Sequence, residues 1–138
     1  MRDRTNILVL AALLFMLPGC DIVTGPKTLG DFSWAEIEGG PVEDSSNFVA
    51  VGSDVLLLGE IGTPTACYNL TPHLAESRTR LTLRIAARST QTPNCEQRAG
   101  SYRYQVMLHR LDRGTYELVI VHDVEDGERT EFRHSLTI

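Results

Sequence analysis

Past residue 20 this chain has no stretch in which apolar residues recur at helical spacing, so a helical or α/β body is not expected. Long apolar runs are missing too. The longest, residues 7–17, falls well short of the about 20 residues that a permanent bilayer-spanning helix requires. Cysteine is scarce, and Cys67 and Cys95 form no Cys-x-x-Cys pair, which argues against a redox couple or a zinc site. No Gly-x-Ser-x-Gly elbow, Ser-x-x-Lys or His-Glu-x-x-His occurs, and no glycine-rich loop is followed by lysine. Those gaps remove the common hydrolase, metalloprotease and nucleotide-binding signatures. Positive charge does not dominate either: the formal net charge is -5, so no nucleic-acid partner is expected. No internal repeat and no low-complexity stretch is present.

What is there begins at the N-terminus. Arg2 and Arg4 precede the apolar run, which ends in Leu17-Pro18-Gly19-Cys20. A positive start, an apolar segment of this length and a small residue before the cut make up an export pattern. The tetrapeptide resembles the lipobox of bacterial lipoproteins. The resemblance implies a signal peptide over residues 1–19, with a thioether-linked diacylglycerol on Cys20 and acylation of its new amine. Each buried methylene adds about 0.8 kcal/mol, so several chains make a firm membrane anchor. Asp21 marks inner-membrane retention in enteric bacteria but not in every lineage, which leaves inner or outer membrane open. Residues 20–30, broken by Gly25-Pro26, read as the lipidated cysteine and a tether.

Residues 31–138 are enough for one domain. Export would place Cys67 and Cys95 in an oxidising compartment, where an even pair forms a disulfide. Period-two alternation dominates this region. Residues 79–88 put Leu81, Leu83, Ile85 and Ala87 on one face and Arg80, Thr82, Arg84, Ala86 and Arg88 on the other. Residues 102–109 alternate likewise, while 55–58 and 116–122 are apolar on both faces, as in central strands. Further strands are expected at 32–38, 48–51, 67–74 and 129–138, with Asp126-Gly127 as a two-residue hairpin turn. The expectation is an all-β protein: a single antiparallel immunoglobulin-like β-sandwich of about seven strands, preceded by a helical signal peptide.

Leu111-Asp112-Arg113-Gly114-Thr115-Tyr116 sharpens that reading, because a tight turn leading into Thr-Tyr resembles the tyrosine corner of such sandwiches. Together with Gly62-Thr63-Pro64, Cys67-Tyr68, the Leu-Thr-Leu-Arg strand and Cys95, it resembles a group of small bacterial secreted lipoproteins with an immunoglobulin-like β-sandwich. The resemblance spans roughly residues 59–122 and implies fold and location, without an assigned activity.

Charge runs acidic, basic, acidic along the chain. Arg80, Arg84 and Arg88 share a strand face, and Arg103 with His109 shares the outward face of the next strand. This stripe is the candidate contact for an anionic surface, since arginine suits bidentate contacts with carboxylate or phosphate. The alternative is pairing with the acidic flanking strands inside the domain. His73, His109, His122 and His134 read as solvent-facing or strand-end residues. In the expected hairpin register His122 lies opposite Glu131, and His134 opposite Val119. The acidic hairpin tip, residues 122–128, reads as a solvated turn rather than a calcium loop, and Phe32 and Trp34 as core residues. No catalytic residue, metal or cofactor is expected. The functional expectation is a non-catalytic binding or structural module of the bacterial cell envelope, in the periplasm or at the cell surface. It would be held to a membrane through lipid on Cys20, with an envelope protein or anionic polymer as partner. A small envelope hydrolase with a loop histidine/acid site is the second reading. It would bring His109 or His73 together with two carboxylates. A carrier of an apolar ligand is the third, and needs an interior cavity.

Overall fold

The computed structural model describes residues 28–138. The expected signal peptide, Cys20 and most of the tether lie outside the described residues. Eight strands follow in order: β1 (Thr28–Glu36), β2 (Ser45–Val51), β3 (Asp54–Thr63), β4 (Tyr68–Ser77), β5 (Arg80–Ser89), β6 (Gly100–His109), β7 (Thr115–Val124) and β8 (Arg129–Thr137). β1 therefore begins within the segment read as tether. The described residues contain no helix.

Two four-stranded sheets, β1-β6-β3-β2 and β4-β5-β7-β8, pack as a β-sandwich. Alternation decides what lies between them. Leu81, Leu83, Ile85 and Ala87 of β5 are fully buried, and face Val55, Leu57, Ile61, Val106 and Leu108 from the other sheet within one core. β3 and β7 are central, as their apolar sequences lead one to expect. Pro72, which cannot donate to a ladder, sits in the edge strand β4.

Two expectations are corrected. There are eight strands rather than about seven, and the sandwich is not wholly antiparallel, because β5 and β7 run parallel with Leu83 opposite Ile120. The cause is β6, which crosses to the opposite sheet and returns the chain to β5 in its original direction. The β7–β8 register also differs by one residue. His122 lies opposite Thr130 and His134 opposite Leu118. Asp126, rather than Gly127, takes the left-handed conformation (φ 58°), and the Gly127 amide closes the turn onto the Val124 carbonyl.

At the other turn, the Tyr116 hydroxyl donates to the Asp112 carbonyl at 3.0 Å, as the tyrosine corner requires. Cys67 and Cys95 are joined in a disulfide with their Cα atoms 6.0 Å apart. Closing a loop of 28 residues is worth about 3–4 kcal/mol in the chain-entropy model.

The two ends of the sandwich differ. At one end β1 begins beside His109, and the β2–β3 turn, the β4–β5 turn and residues 110–114 are tied together. The Leu111 amide bonds the Ser53 carbonyl, and the β4–β5 turn is held to β7 just beyond that segment by the Glu117 amide on the Thr79 carbonyl. The disulfide, the β7–β8 turn and residues 37–44 occupy the opposite end.

Candidate functional site

Three polar side chains from separate parts of the chain meet inside the sandwich. His122 shares the parity of Tyr116, Leu118 and Ile120 on β7, so it points into the core and is 0% exposed. Its Nδ1 lies 2.8 Å from Asp44 Oδ2, just before β2, and its Nε2 lies 2.8 Å from the Tyr104 hydroxyl on β6. With Asp44 ionised, Nδ1 carries the proton and donates to the carboxylate, leaving Nε2 to accept from Tyr104. Asp44 Oδ1 accepts a further bond from the Gly62 amide at 2.8 Å. Burial pushes the Asp44 carboxyl up. The hydrogen bonds from His122 and the Gly62 amide outweigh it and hold the group below its usual range. Burial drives the Tyr104 hydroxyl far above its ordinary value. The Tyr104 ring reaches this position by lying across Gly59, where a Cβ would overlap the ring. Phe132 packs edge-on against the imidazole at 5.2 Å.

Aspartate, imidazole and hydroxyl in line are the parts of an acid–base relay. They are enclosed: Tyr104 is 1% exposed, His122 is wholly buried, and of the three only Asp44 lines a groove, with Glu43, Pro64, Glu128 and Phe132. The trio links the sheets, since Tyr104 belongs to one and His122 to the other. Each such bond contributes about 1 kcal/mol net, and an orphaned partner would cost more.

The fold divides the expected arginine stripe: Arg80, Arg84 and Arg88 lie on the outer face of β5, whereas Arg103 lies on β6 in the opposite sheet, and each is ion-paired within the domain. Arg80 meets Glu117 at 2.6 Å, Arg84 and Arg88 meet Asp123 at 3.3 and 2.7 Å, and Arg103 meets Glu60 at 2.6 Å. Bonds from Arg80 and Arg133 hold Glu117 below the usual carboxylate range, and Arg88 does the same for Asp123. Exposed pairs of this kind are worth about 0–1 kcal/mol each. Two carboxylates of β7, Glu117 and Asp123, thus serve the three arginines of β5 across the parallel pairing, and Glu60 of β3 serves Arg103.

The remaining histidines do not converge. His109 meets a single carboxylate, Asp54, at 3.1 Å, and its ring covers Gly30. His73 is exposed on β4, and His134 packs its ring on Phe48 with Nε2 buried and unbonded. The expectation that all four histidines face solvent or strand ends is thus corrected for His122. Among the described residues no group of three or more histidine, cysteine or acidic side chains is placed to hold a metal ion. Trp34 is also corrected. On the edge strand β1 it is 37% exposed, rests edge-on against Tyr102, and lines an open cleft of about 400 Å³ with Leu58 and Arg103. Asp44 and Tyr104 were not singled out from the sequence. The one available signal was the parity of His122 on its strand.

Fold and site together define a disulfide-linked β-sandwich with a buried polar link between its sheets. The chain matches no family model, no curated protein and no solved structure.

Proposed function

We propose that this chain is a lipid-anchored, non-catalytic module of a bacterial cell envelope, with an immunoglobulin-like sandwich held outside the cytoplasm by lipid on Cys20. Enclosure of the Asp44–His122–Tyr104 trio is the observation that carries the non-catalytic reading. Among the described residues, the aspartate, imidazole and hydroxyl that converge are bonded to one another, with His122 and Tyr104 inside the core. The lipobox-like Leu17-Pro18-Gly19-Cys20 supports the anchor, and the Cys67–Cys95 disulfide suits an oxidising compartment. The tyrosine corner supports the immunoglobulin-like assignment, from which the parallel β5–β7 pair is a departure. Packing of Leu57, Leu83, Ile120 and Tyr102 between the sheets argues for a binding or structural surface over an apolar-ligand carrier.

Metabolic labelling with palmitate in the native bacterium tests the anchor. Label is expected in the wild-type protein and not in Cys20→Ser. An unlabelled wild type overturns the reading. Turnover of an ester or peptide panel that is abolished by His122→Gln would overturn the non-catalytic half.

A further inference from the structure

Along its strands the sandwich is polarised in charge, apolar exposure and attachment. The end where β1 begins carries Arg78, Arg110 and Arg113 on exposed turn residues, beside the acids Asp31, Asp54, Glu76, Asp112 and Glu117, of which Asp54 is held by His109 and Glu117 by Arg80 and Arg133. The opposite end gathers Glu36, Glu38, Glu43, Asp44, Glu96, Glu125, Asp126 and Glu128 around Arg98 and Arg129. Apolar exposure follows the same axis. Val49 and Val51, on one face of the β2–β3 hairpin, are 52% and 66% exposed, more than any other large apolar side chain described. Attachment follows it as well. His109 of β6, packed on Gly30 and bonded to Asp54, ties the start of β1 to the start of β3 across the intervening strand.

We propose that this end of the sandwich rests on an anionic lipid bilayer. Val49 and Val51 enter the headgroup region, while Arg78, Arg110 and Arg113 face lipid phosphates. The inference builds on the lipid anchor proposed above. From Cys20 to Thr28 the chain extends at most about 3.6 Å per residue, which caps the reach at about 29 Å. The ten-residue strands then carry the acidic end roughly 33 Å farther away. Tether length alone keeps the hairpin within reach of the surface. Charge orients it: arginines are drawn to an anionic leaflet, and the carboxylate-rich end is repelled. Exposed aliphatic side chains among arginines suit the polar–apolar boundary of a bilayer.

The test uses the full-length lipidated protein in vesicles of phosphatidylethanolamine and phosphatidylglycerol, with and without acyl-brominated lipid. Trp34→Phe removes the native tryptophan, and Val51→Trp, Val49→Trp or Glu128→Trp supplies one reporter at a time. Bromolipid is expected to quench the two hairpin reporters at least twofold and to leave the Glu128 position unchanged. Adding Arg78→Glu, Arg110→Glu and Arg113→Glu should abolish the hairpin quenching. Mass spectrometry of the same samples reads the lipid on Cys20. Lipidated protein with unquenched hairpin reporters overturns this inference and spares the anchor. Absence of lipid on Cys20 overturns both.

Discussion

Removing one oxygen atom tests the buried link most cleanly. Tyr104→Phe keeps the ring across Gly59 and the surrounding packing, but takes the donor from His122 Nε2. The imidazole is 0% exposed, so no solvent replaces that donor. The lost bond and the orphaned nitrogen together should cost about 2 kcal/mol, within the roughly 1–3 kcal/mol range for an unsatisfied buried group. For a domain of this size that corresponds to a fall in Tm of about 8 °C, at roughly 4 °C per kcal/mol. Urea unfolding followed by Trp34 fluorescence and circular dichroism should show a lower midpoint with an unchanged m-value. A double-mutant cycle with His122→Leu should give a coupling of about 1 kcal/mol or more, because the second change removes the atom that the first one orphaned. A Tyr104→Phe loss below about 0.3 kcal/mol, with no coupling, would refute the argument that this hydroxyl is engaged.

Gly59→Ala should reach the same network from the backbone side, destabilising by about 1–3 kcal/mol as the added methyl forces the Tyr104 ring aside. The same thermal melt measures it. Reducing the Cys67–Cys95 bond, or replacing both cysteines with alanine, should lower unfolding free energy by about 3–4 kcal/mol, read as a shifted denaturant midpoint with and without reductant. Acid should weaken the fold. Asp44, Glu117 and Asp123 are all held below their usual range in the folded state. Their contribution is therefore complete above an unfolded value of about 4, and is lost as pH falls through the lowered folded values. Denaturant titrations stepped from pH 6 to pH 2 should show that decline, with a shallower slope in Asp44→Asn.

Much of the fold was legible because a half-buried strand writes its orientation into its sequence. The odd positions of β5 and the even positions of β6 read correctly from residue type alone. Pairing partners did not, since alternation says which face is buried but not which strand lies alongside. The parallel β5–β7 contact depends on where β6 goes, a non-local choice. The β7–β8 register turned on whether Asp126 or Gly127 adopts positive φ, and aspartate tolerates that conformation well enough to take it. His122 could have been placed inside by its parity with Leu118 and Ile120. Asp44 could not, as it lies in an irregular segment 78 residues away. The arginines of β5 looked available because their partners, Glu117 and Asp123, are brought beside them only by the crossover.

That crossover bears on how the polypeptide can be divided. Each layer draws on both halves of the chain: the first three strands need β6, and the β4–β5 hairpin needs β7 and β8 to bury its inner side. A cut between residues 95 and 100, which keeps the Cys67–Cys95 bond within one piece, would leave two fragments, neither of which completes a layer. Neither should acquire cooperative structure alone, yet mixing them should restore it, and synthesis must finish β8 before the protein can settle into its final form.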